Sequence, residues 1–255
     1  TPEHVCFQIT DRGGGASVGV SRRAGSPKVV ASGSVGHRRT WSGDVTVLEP
    51  PLYLASAFTK VLEEEGIAVP APPEVRSEPL PPGTPLQALH VHETPILPVL
   101  SVCNKRSHSF FAEQILKTLG AERRGRGSWA NGLAEVSDFL RSLGLDPSRY
   151  RIADGSGRSR ENRSSAGAYV DFLQALATRW THFDSFYPTL AISGDMAGSL
   201  RHRLLGDDTV GKVYAKTGNI AGVVTLAGYV EARSGTRYAF VILANGGCAE
   251  RSGHA

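Results

Sequence analysis

The spacing of hydrophobic residues changes twice along the chain. Between residues 5 and 47, short apolar runs such as ASVGV and KVVASGSV alternate with glycine, serine and paired arginines. This pattern is typical of short antiparallel strands in a small β-rich module. From Pro51 onward apolar residues recur at helical spacing, and the last third of the chain returns to β-rich runs. The order predicts an α+β fold in which helices cover an antiparallel sheet.

Four helices are predicted in the middle of the chain. The first follows a proline pair and ends before Gly66, because proline favours the first helical turn and glycine the end of a helix. Gly120 and Gly144 are predicted to end the next two helices in the same way. The three later helices are predicted at residues 107–119, 129–143 and 164–180.

A proline-dense stretch and a set of strands complete the predicted fold. Residues 69–100 contain many prolines and predict a surface connection, because proline sustains neither a helix interior nor a central strand. Near the end of the chain, KVYAKTG, GVVTLAGYVEA and TRYAFVILANG predict adjacent antiparallel strands, with ARSGTR as a hairpin loop.

Composition narrows the possible classes of protein. The 255-residue chain carries a formal net charge of +4, but its arginines are scattered and no nucleic-acid recognition module accompanies them, which argues against nucleic-acid binding. No apolar run approaches the roughly 20 residues that span a bilayer. Thr1–Thr10 lacks the charged and apolar regions of a signal peptide.

The cysteines do not predict a metal site or a disulfide framework. Cys6, Cys103 and Cys248 are far apart and form no CxxC pair. Cys103 precedes a serine-rich stretch, so a nucleophilic thiol is one interpretation. No Cys-His signature surrounds it, and a small buried apolar residue is the favoured interpretation.

Four stretches carry more polar residues and glycines than packing requires. They are NKRSHSFFAEQILKTLG from Asn104, ADGSGRSRENRSSAG from Ala153, SGDMAGSLRHRLLG from Ser193 and VYAKTGNIAG from Val213. The third stretch predicts a loop and a short helix. Taken singly, none of the four requires a function.

Each of the other stretches has an ordinary structural interpretation. Ser107 or Ser109 is predicted to cap the N-terminus of a helix, since a hydroxyl accepts a free backbone N–H there. Asp154 and Ser156 lie between glycines in a predicted tight turn. Lys216 is predicted at the end or edge of a strand. A functional Lys-Thr-Gly would require a cleft where the ammonium, the hydroxyl and a closely approaching backbone meet an anionic acyl substrate.

In this order, the four stretches resemble the D-alanyl-D-alanine carboxypeptidase/endopeptidase family of penicillin-binding proteins. The resemblance runs from about Pro51 to Gly247. It implies a β-lactamase/penicillin-binding-type antiparallel sheet flanked by helices. Residues 1–50 resemble the end of a β-rich domain that this family carries inside its catalytic domain. Residues 51–255 would then be the C-terminal part of the transpeptidase-like catalytic domain, incomplete at its N-terminus.

The resemblance also implies a reaction. Enzymes of this family form an acyl-enzyme on the serine of a Ser-x-x-Lys motif and hydrolyse peptidoglycan stem peptides that end in D-Ala-D-Ala. They bind β-lactam antibiotics at the same site and use no metal or organic cofactor. Their substrate implies a periplasmic or otherwise extracytoplasmic location.

The family motifs assign roles to residues of this chain. By resemblance, Ser107 and Lys216 are catalytic, the former as the serine of Ser-x-Asn and the latter in the Lys-Thr-Gly motif. The residues implied in substrate binding or in a cleft loop are Ser109, Thr217, Gly218, Asn219, Asp154 and Ser156. Asn219 would donate its backbone N–H to an oxyanion hole. Ser109 stands where the family has asparagine, and Asn219 replaces a hydroxyl residue, so both positions depart from the pattern.

The attacking serine has no match in this chain. No serine is followed three positions later by lysine, and Ser56 misses by one residue because Lys60 is the fourth. One interpretation is that the chain is a fragment, or a separately made or processed part, of a complete carboxypeptidase. A second is a catalytically inactive module that binds peptidoglycan peptides or a partner. A third assigns Thr1 or Cys103 as an unrelated nucleophile.

The first two interpretations predict different surfaces. The family topology places an N-terminal strand and helix in the core, so a chain without them is expected to show an unpaired central sheet and an exposed apolar face. A binding module is expected to cover that face and to remain soluble and monomeric.

Overall fold

The computed structural model of the protein describes residues 9–10, 17–23, 25–26, 28–34, 40–41, 47–76, 78, 80–81 and 83–246. Contacts within the chain divide it into two compact units, Thr1–Leu89 and His90–Ala255. The predicted domain boundary between residues 50 and 51 rests on family resemblance and stays a prediction.

The first unit contains short strands and one helix. Its strands β1 and β4 pair with each other, and β2 and β3 form an antiparallel hairpin. Their bounds are β1 Ile9–Thr10, β2 Ser17–Arg22, β3 Val29–Ser34 and β4 Thr40–Trp41, followed by helix α1 at Pro50–Glu64. The hairpin and α1 confirm the predictions for these segments. Residues 5–8 and 42–46, within the region predicted to form short strands, lie outside the described residues, and Val47 is not in a strand.

The apolar face of α1 is exposed. No residue of this helix is buried, and the side chains of Leu54 and Phe58 are 70% and 61% exposed. The helix begins with prolines at its first positions, and Gly66 follows its end with a φ of 81°. Its ends are therefore set by local sequence, as predicted.

The second unit is built on a four-stranded antiparallel sheet. Its strands are β5 Ala191–Ile192, β6 Val213–Ile220, β7 Val223–Glu231 and β8 Arg237–Asn245, in the order β5-β6-β7-β8. The three long strands and the hairpin loop before Arg237 confirm the prediction. Strand β5 was not predicted, because two residues are too few to show a period.

Five helices accompany this sheet in the described part of the unit. They are α2 Ile96–Arg106, α3 Ser109–Arg124, α4 Trp129–Ser142, α5 Ala166–Arg179 and the single turn α6 Phe183–Phe186. Helices α4 and α5 confirm the predictions, with Ser165 capping α5 through its hydroxyl. Helix α2 corrects the predicted surface connection at residues 69–100, whose last five residues are helical; Pro98 lies within the helix. Proline is tolerated there because the first-turn N–H groups have no partner within the helix.

Helix α3 corrects two predictions. Ser107 and Ser109 do not cap its N-terminus; His108 does, and its Nδ1 accepts a hydrogen bond from the backbone N–H of Phe111 at 3.4 Å. Gly120 does not end the helix. It lies inside α3, and glycine is required there because a side chain would come within 2.8 Å of the backbone nitrogen of Gly132 in α4. A glycine required for close packing gave the same sequence signal as a glycine that ends a helix.

The main core lies between α5, α6 and the sheet. Leu173, Leu176, Phe183, Tyr187 and Tyr229 are buried together there. The hydroxyl of Tyr229 donates a hydrogen bond to the backbone oxygen of Leu173 at 2.8 Å, so its polar end is satisfied. Among the described residues, no helix has both the length and the apolar character needed to cross a bilayer.

We expect Gly132→Ala to destabilise the second unit. The added methyl group would run into the backbone oxygen of Leu116 and come within 2.8 Å of its Cγ. Overpacking of this kind costs about 1–3 kcal/mol, in excess of the roughly 1 kcal/mol that alanine gains over glycine in a helix. The free energy of unfolding, measured by urea denaturation, is expected to fall.

Gly167→Ala is the matched control. Gly167 lies in α5, and a methyl group there would meet no atom within 4 Å. This variant is expected to be as stable as the parent or slightly more stable. Equal unfolding midpoints for the two variants would contradict the proposed packing of α3 against α4.

Candidate active site

The site lies where the C-terminus of α2 meets the outer edge of β6. Strand β5 pairs with β6 only at Tyr214 and Ala215. From Lys216 onward, the outer edge of β6 faces no other strand in the described part of the chain, while its inner edge pairs with β7 through Ile220. Lys216 is thus the first residue of β6 at an open sheet edge, as expected for a strand that binds an extended peptide.

Lys216 and Ser107 meet across this edge. The Nζ of Lys216 donates hydrogen bonds to the Oγ of Ser107 and, at 2.6 Å, to the backbone oxygen of Thr217. The two residues predicted as catalytic are 109 positions apart in sequence. The fold brings them into direct contact.

Ser107 is held in an unusual backbone conformation. It follows α2 as its C-cap, with φ 54° and ψ 47°, in the left-handed region. A residue other than glycine pays about 1–3 kcal/mol for such a conformation and keeps it only where surrounding contacts enforce it. Such strain is concentrated at functional sites. In this protein the strained residue is Ser107, whose exposed hydroxyl accepts the hydrogen bond from Lys216.

Burial affects both ionisable groups near this contact. It lowers the pKa of Lys216, with a smaller opposing effect from Cys103. Burial also raises the pKa of the Cys103 thiol, partly offset by the charge of Lys216. A thiol with a raised pKa holds little thiolate at neutral pH. Cys103 is therefore poorly suited to be a nucleophile, and Thr1 lies outside the described residues.

The rest of the Lys-Thr-Gly motif continues along β6. The hydroxyl of Thr217 donates to the Oγ of Ser199 at 2.9 Å. Gly218 faces Thr225 of β7, and a side chain at this position would collide with the hydroxyl of Thr225. Asn219 is exposed near the end of the strand. Cross-strand packing against Thr225 thus favours glycine at this position.

The segment before β6 is tied to α2. The backbone N–H of Ser199 donates to the backbone oxygen of Lys105 at 2.9 Å, and Lys105 forms an ion pair with Asp195 at 3.3 Å. The predicted short helix in residues 193–206 is wrong, because the segment consists of turns. The turns lie beside α2 and the start of β6. The backbone N–H of Ser199 donates to Lys105 of α2, and that of Ser193 donates to Val213 of β6.

Asp154 organises a loop beside the site. Its carboxylate accepts hydrogen bonds from the backbone N–H of Gly157 at 2.9 Å and of Ser159 at 2.7 Å. The side-chain amide of Asn162 adds a bond at 2.7 Å. Burial alone would raise the pKa of Asp154, but these hydrogen bonds hold it below its ordinary value. Both carboxylate oxygens are engaged within the loop, so Asp154 shapes it.

Ser156 and Ser109 connect this loop to α3. The backbone N–H of Ser156 donates to the Oε1 of Glu113 at 3.0 Å. The Nε of Arg158 donates to the Oγ of Ser109 at 3.1 Å. Ser109 is the first residue of α3, two positions after Ser107. The loop therefore lies against the α3 side of the site.

Sequence reasoning missed three residues that organise the site. They are Ser199, Glu113 and Arg158. Ser199 lies in the stretch SGDMAGSLRHRLLG, and the only signal at this position is a hydroxyl residue between Gly198 and Leu200. Within the described residues, no three His, Cys, Asp or Glu side chains gather closely enough to hold a metal ion.

The family that matches this chain and two of the chain's relatives are D-Ala-D-Ala carboxypeptidases. Residues 17–255 match the D-Ala-D-Ala carboxypeptidase 3 (S13) family. The chain is 33% identical over 207 residues to a D-alanyl-D-alanine carboxypeptidase of Actinomadura sp. (strain R39), covering 79% of this chain and 38% of that protein. It is 29% identical over 164 residues to the carboxypeptidase DacB of Haemophilus influenzae, covering 63% of this chain and 34% of that protein.

A solved structure agrees in fold. Penicillin-binding protein 4 of Haemophilus influenzae, in complex with a β-lactam, superposes with a TM-score of 0.71 at 25% identity, covering 90% of this chain and 53% of that chain. The chain spans little more than a third of the length of the two curated relatives. The antiparallel sheet with flanking helices confirms the expected penicillin-binding-type fold. The protein described here belongs to the D-Ala-D-Ala carboxypeptidase 3 (S13) family.

Proposed function

We propose that this chain forms the substrate-binding wall of a serine-type D-Ala-D-Ala carboxypeptidase/endopeptidase that acts on peptidoglycan stem peptides. The observation that carries the proposal is the hydrogen bond from Lys216 to Ser107 at the open edge of β6. This contact brings together a cation, the hydroxyl of a serine with a strained backbone and an open strand edge. Those are the groups needed to bind an extended peptide by its carboxylate and to move a proton beside it.

Each residue of the wall has a proposed role. The ammonium of Lys216 and the hydroxyl of Thr217 bind the C-terminal carboxylate of the peptide, since a cation and a neutral donor together form strong hydrogen bonds to an anion. Ser107 passes a proton towards the leaving D-alanine amine. Ser109 lines the acyl side, Gly218 permits close approach, and the backbone N–H of Asn219 contributes to the oxyanion hole.

The attacking serine is proposed to lie on sequence outside these 255 residues, because no Ser-x-x-Lys occurs within them. The serine oxygen would attack the peptide carbonyl and expel D-alanine, and water would then release the acyl group.

The exposed side chains of β8 support the proposal that a further segment of the same protein packs against this strand. Tyr238 and Ile242, an even number of positions apart, are 56% and 57% exposed. Beyond β8, no further strand pairs in the described part of the sheet.

This exposed face also bears on the alternative, a non-cleaving module. Such a module is expected to cover its apolar face, whereas the side chains of Tyr238 and Ile242 on β8 are more than half exposed. Stem peptides and β-lactams as ligands, and an extracytoplasmic location, are proposed on the same family grounds. The Haemophilus influenzae relative was crystallised with a β-lactam.

Labelling with a fluorescent penicillin tests the proposed function. The full-length protein that contains this chain is expected to become covalently labelled, with the acylated serine located by mass spectrometry outside residues 1–255. A label on a residue of this chain would overturn the assignment of the nucleophile. Absence of any label would favour the non-cleaving module.

We expect Lys216→Ala in the full-length protein to slow acylation by penicillin at least tenfold. Loss of the ammonium removes the charge that attracts the carboxylate, and a factor of ten corresponds to about 1.4 kcal/mol. The second-order rate constant of acylation is the measurement. Lys212→Ala, a lysine one residue before β6, is the control. Equal rates for the parent and Lys216→Ala would refute the proposed role.

The affinity for carboxylate ligands is expected to fall at alkaline pH. Because burial lowers the pKa of Lys216, its ammonium loses the proton at a lower pH than an exposed lysine, whose pKa is about 10.4. Affinity is full while the pH stays below the pKa of Lys216 and is lost as the pH rises through it. Lys216→Arg keeps its charge, so this variant is expected to lose the alkaline decline. The same decline in both proteins would contradict the assignment.

A further inference from the structure

Ser199 lies behind the Lys-Thr-Gly motif in a tightly packed frame. Its neighbours in sequence, Gly198 and Leu200, are both buried, and Leu200 has no exposed surface. A side chain on Gly198 would come within 3.0 Å of the Cβ of Ala191. Glycine at this position therefore lets the backbone of Ser199 approach β5 and the strand beside it.

Two hydrogen bonds fix Ser199 between α2 and β6. Its backbone N–H donates to the backbone oxygen of Lys105, and its hydroxyl oxygen accepts from the hydroxyl of Thr217 at 2.9 Å. Lys105 is held in turn by Asp195, and the Lys105 side chain is only 18% exposed. Backbone and side chain of Ser199 are thus bonded to the two elements that carry Ser107 and Thr217.

We propose that Ser199 is a positioning residue that orients the Thr217 hydroxyl towards the carboxylate of the substrate. This inference rests on the proposed function, in which Thr217 binds that carboxylate. A hydroxyl has one donor hydrogen and two acceptor lone pairs. Thr217 donates to Ser199 in the structure, and binding a carboxylate requires it to donate to that carboxylate instead.

The exchange requires only rotation of hydroxyl hydrogens. When a carboxylate arrives, the Thr217 hydrogen turns to it and Ser199 donates its own hydrogen to the oxygen of Thr217. Thr217 then accepts from Ser199 while donating to the ligand, and hydrogen bonds in such a chain strengthen one another. The oxygen atoms need not move, because the bonds of Ser199 to Lys105 and Thr217 already place them.

Ser199→Ala tests the inference in the full-length protein. The variant keeps the backbone N–H that binds Lys105 and loses only the hydroxyl. We expect peptides ending in D-Ala-D-Ala carboxylate to compete about fivefold to tenfold less well against fluorescent penicillin, as is usual when one partner of a charge-linked hydrogen-bond chain is removed. Competition by the matching C-terminal carboxamide peptide is expected to change less than twofold. Ser199→Thr, which retains a hydroxyl, is expected to restore most of the difference.

A double-mutant cycle separates positioning from general damage. If Ser199 acts through Thr217, the variant Ser199→Ala/Thr217→Val is expected to bind the carboxylate peptide no more weakly than Thr217→Val alone. Ser234→Ala is the matched control, because Ser234 forms a hydroxyl pair with Thr236 at 3.1 Å in the β7–β8 loop. Ser234→Ala is expected to leave the binding of both the carboxylate and the carboxamide peptide unchanged.

The outcomes distinguish this inference from the proposed function. Weaker carboxylate binding by Thr217→Val but not by Ser199→Ala would overturn the role of Ser199 and leave the proposed function intact. Unchanged binding by Thr217→Val would overturn the carboxylate role of Thr217 itself, and the inference with it. An equal loss for the acid and the carboxamide peptides in Ser199→Ala, or additive losses in the double variant, would show a structural effect and overturn positioning.

Discussion

The candidate site depends on how closely the start of β6 packs against its neighbours. Ala191 of β5 and Ala215 of β6 have no exposed surface. On the other side of β6, a side chain on Gly228 of β7 would collide with the backbone of Tyr214 and Ala215. Small residues on both sides hold this part of the strand in one position. The packing stops at Lys216, where β5 has ended, so the lysine stands on a rigid support beside an open edge.

On the opposite side of the site, Ser107 has a strained backbone conformation. Ser107 lies in the left-handed region after α2 and faces the ammonium of Lys216. A left-handed serine and a lysine whose pKa is lowered by burial both cost stability. Such costs are common at functional sites, where binding or chemistry requires a geometry that folding alone would not select. Here the surrounding core, including the fully buried Leu200, provides the stabilisation that offsets them.

Much of the fold could be predicted from local patterns. The β-rich runs of β6, β7 and β8, the glycine after α4 and the proline start of α1 depend on neighbouring residues, so the sequence shows them directly. The errors arose where tertiary contacts gave a residue another role. Gly120 lies within α3 and is needed there for the close approach of α4, and α2 forms despite Pro98 because its first turn tolerates proline. The short helix predicted before β6 is replaced by turns that are bonded to α2 and β6.

The family could be predicted from the sequence alone, because the polar stretches around Ser107, Asp154 and Lys216 occur in an order that resembles that family, and residues 17–255 match its model. The sequence also showed that the chain has no Ser-x-x-Lys. The contacts among Ser107, Lys216 and Thr217 follow from the folded chain, not from their order in the sequence. Ser107 ends one helix instead of capping the next, and Ser199 is hydrogen-bonded to Thr217. Both facts depend on contacts between segments far apart in sequence, whose geometry is set by the packing of α2, β5 and β6 and leaves no periodic signal in the chain.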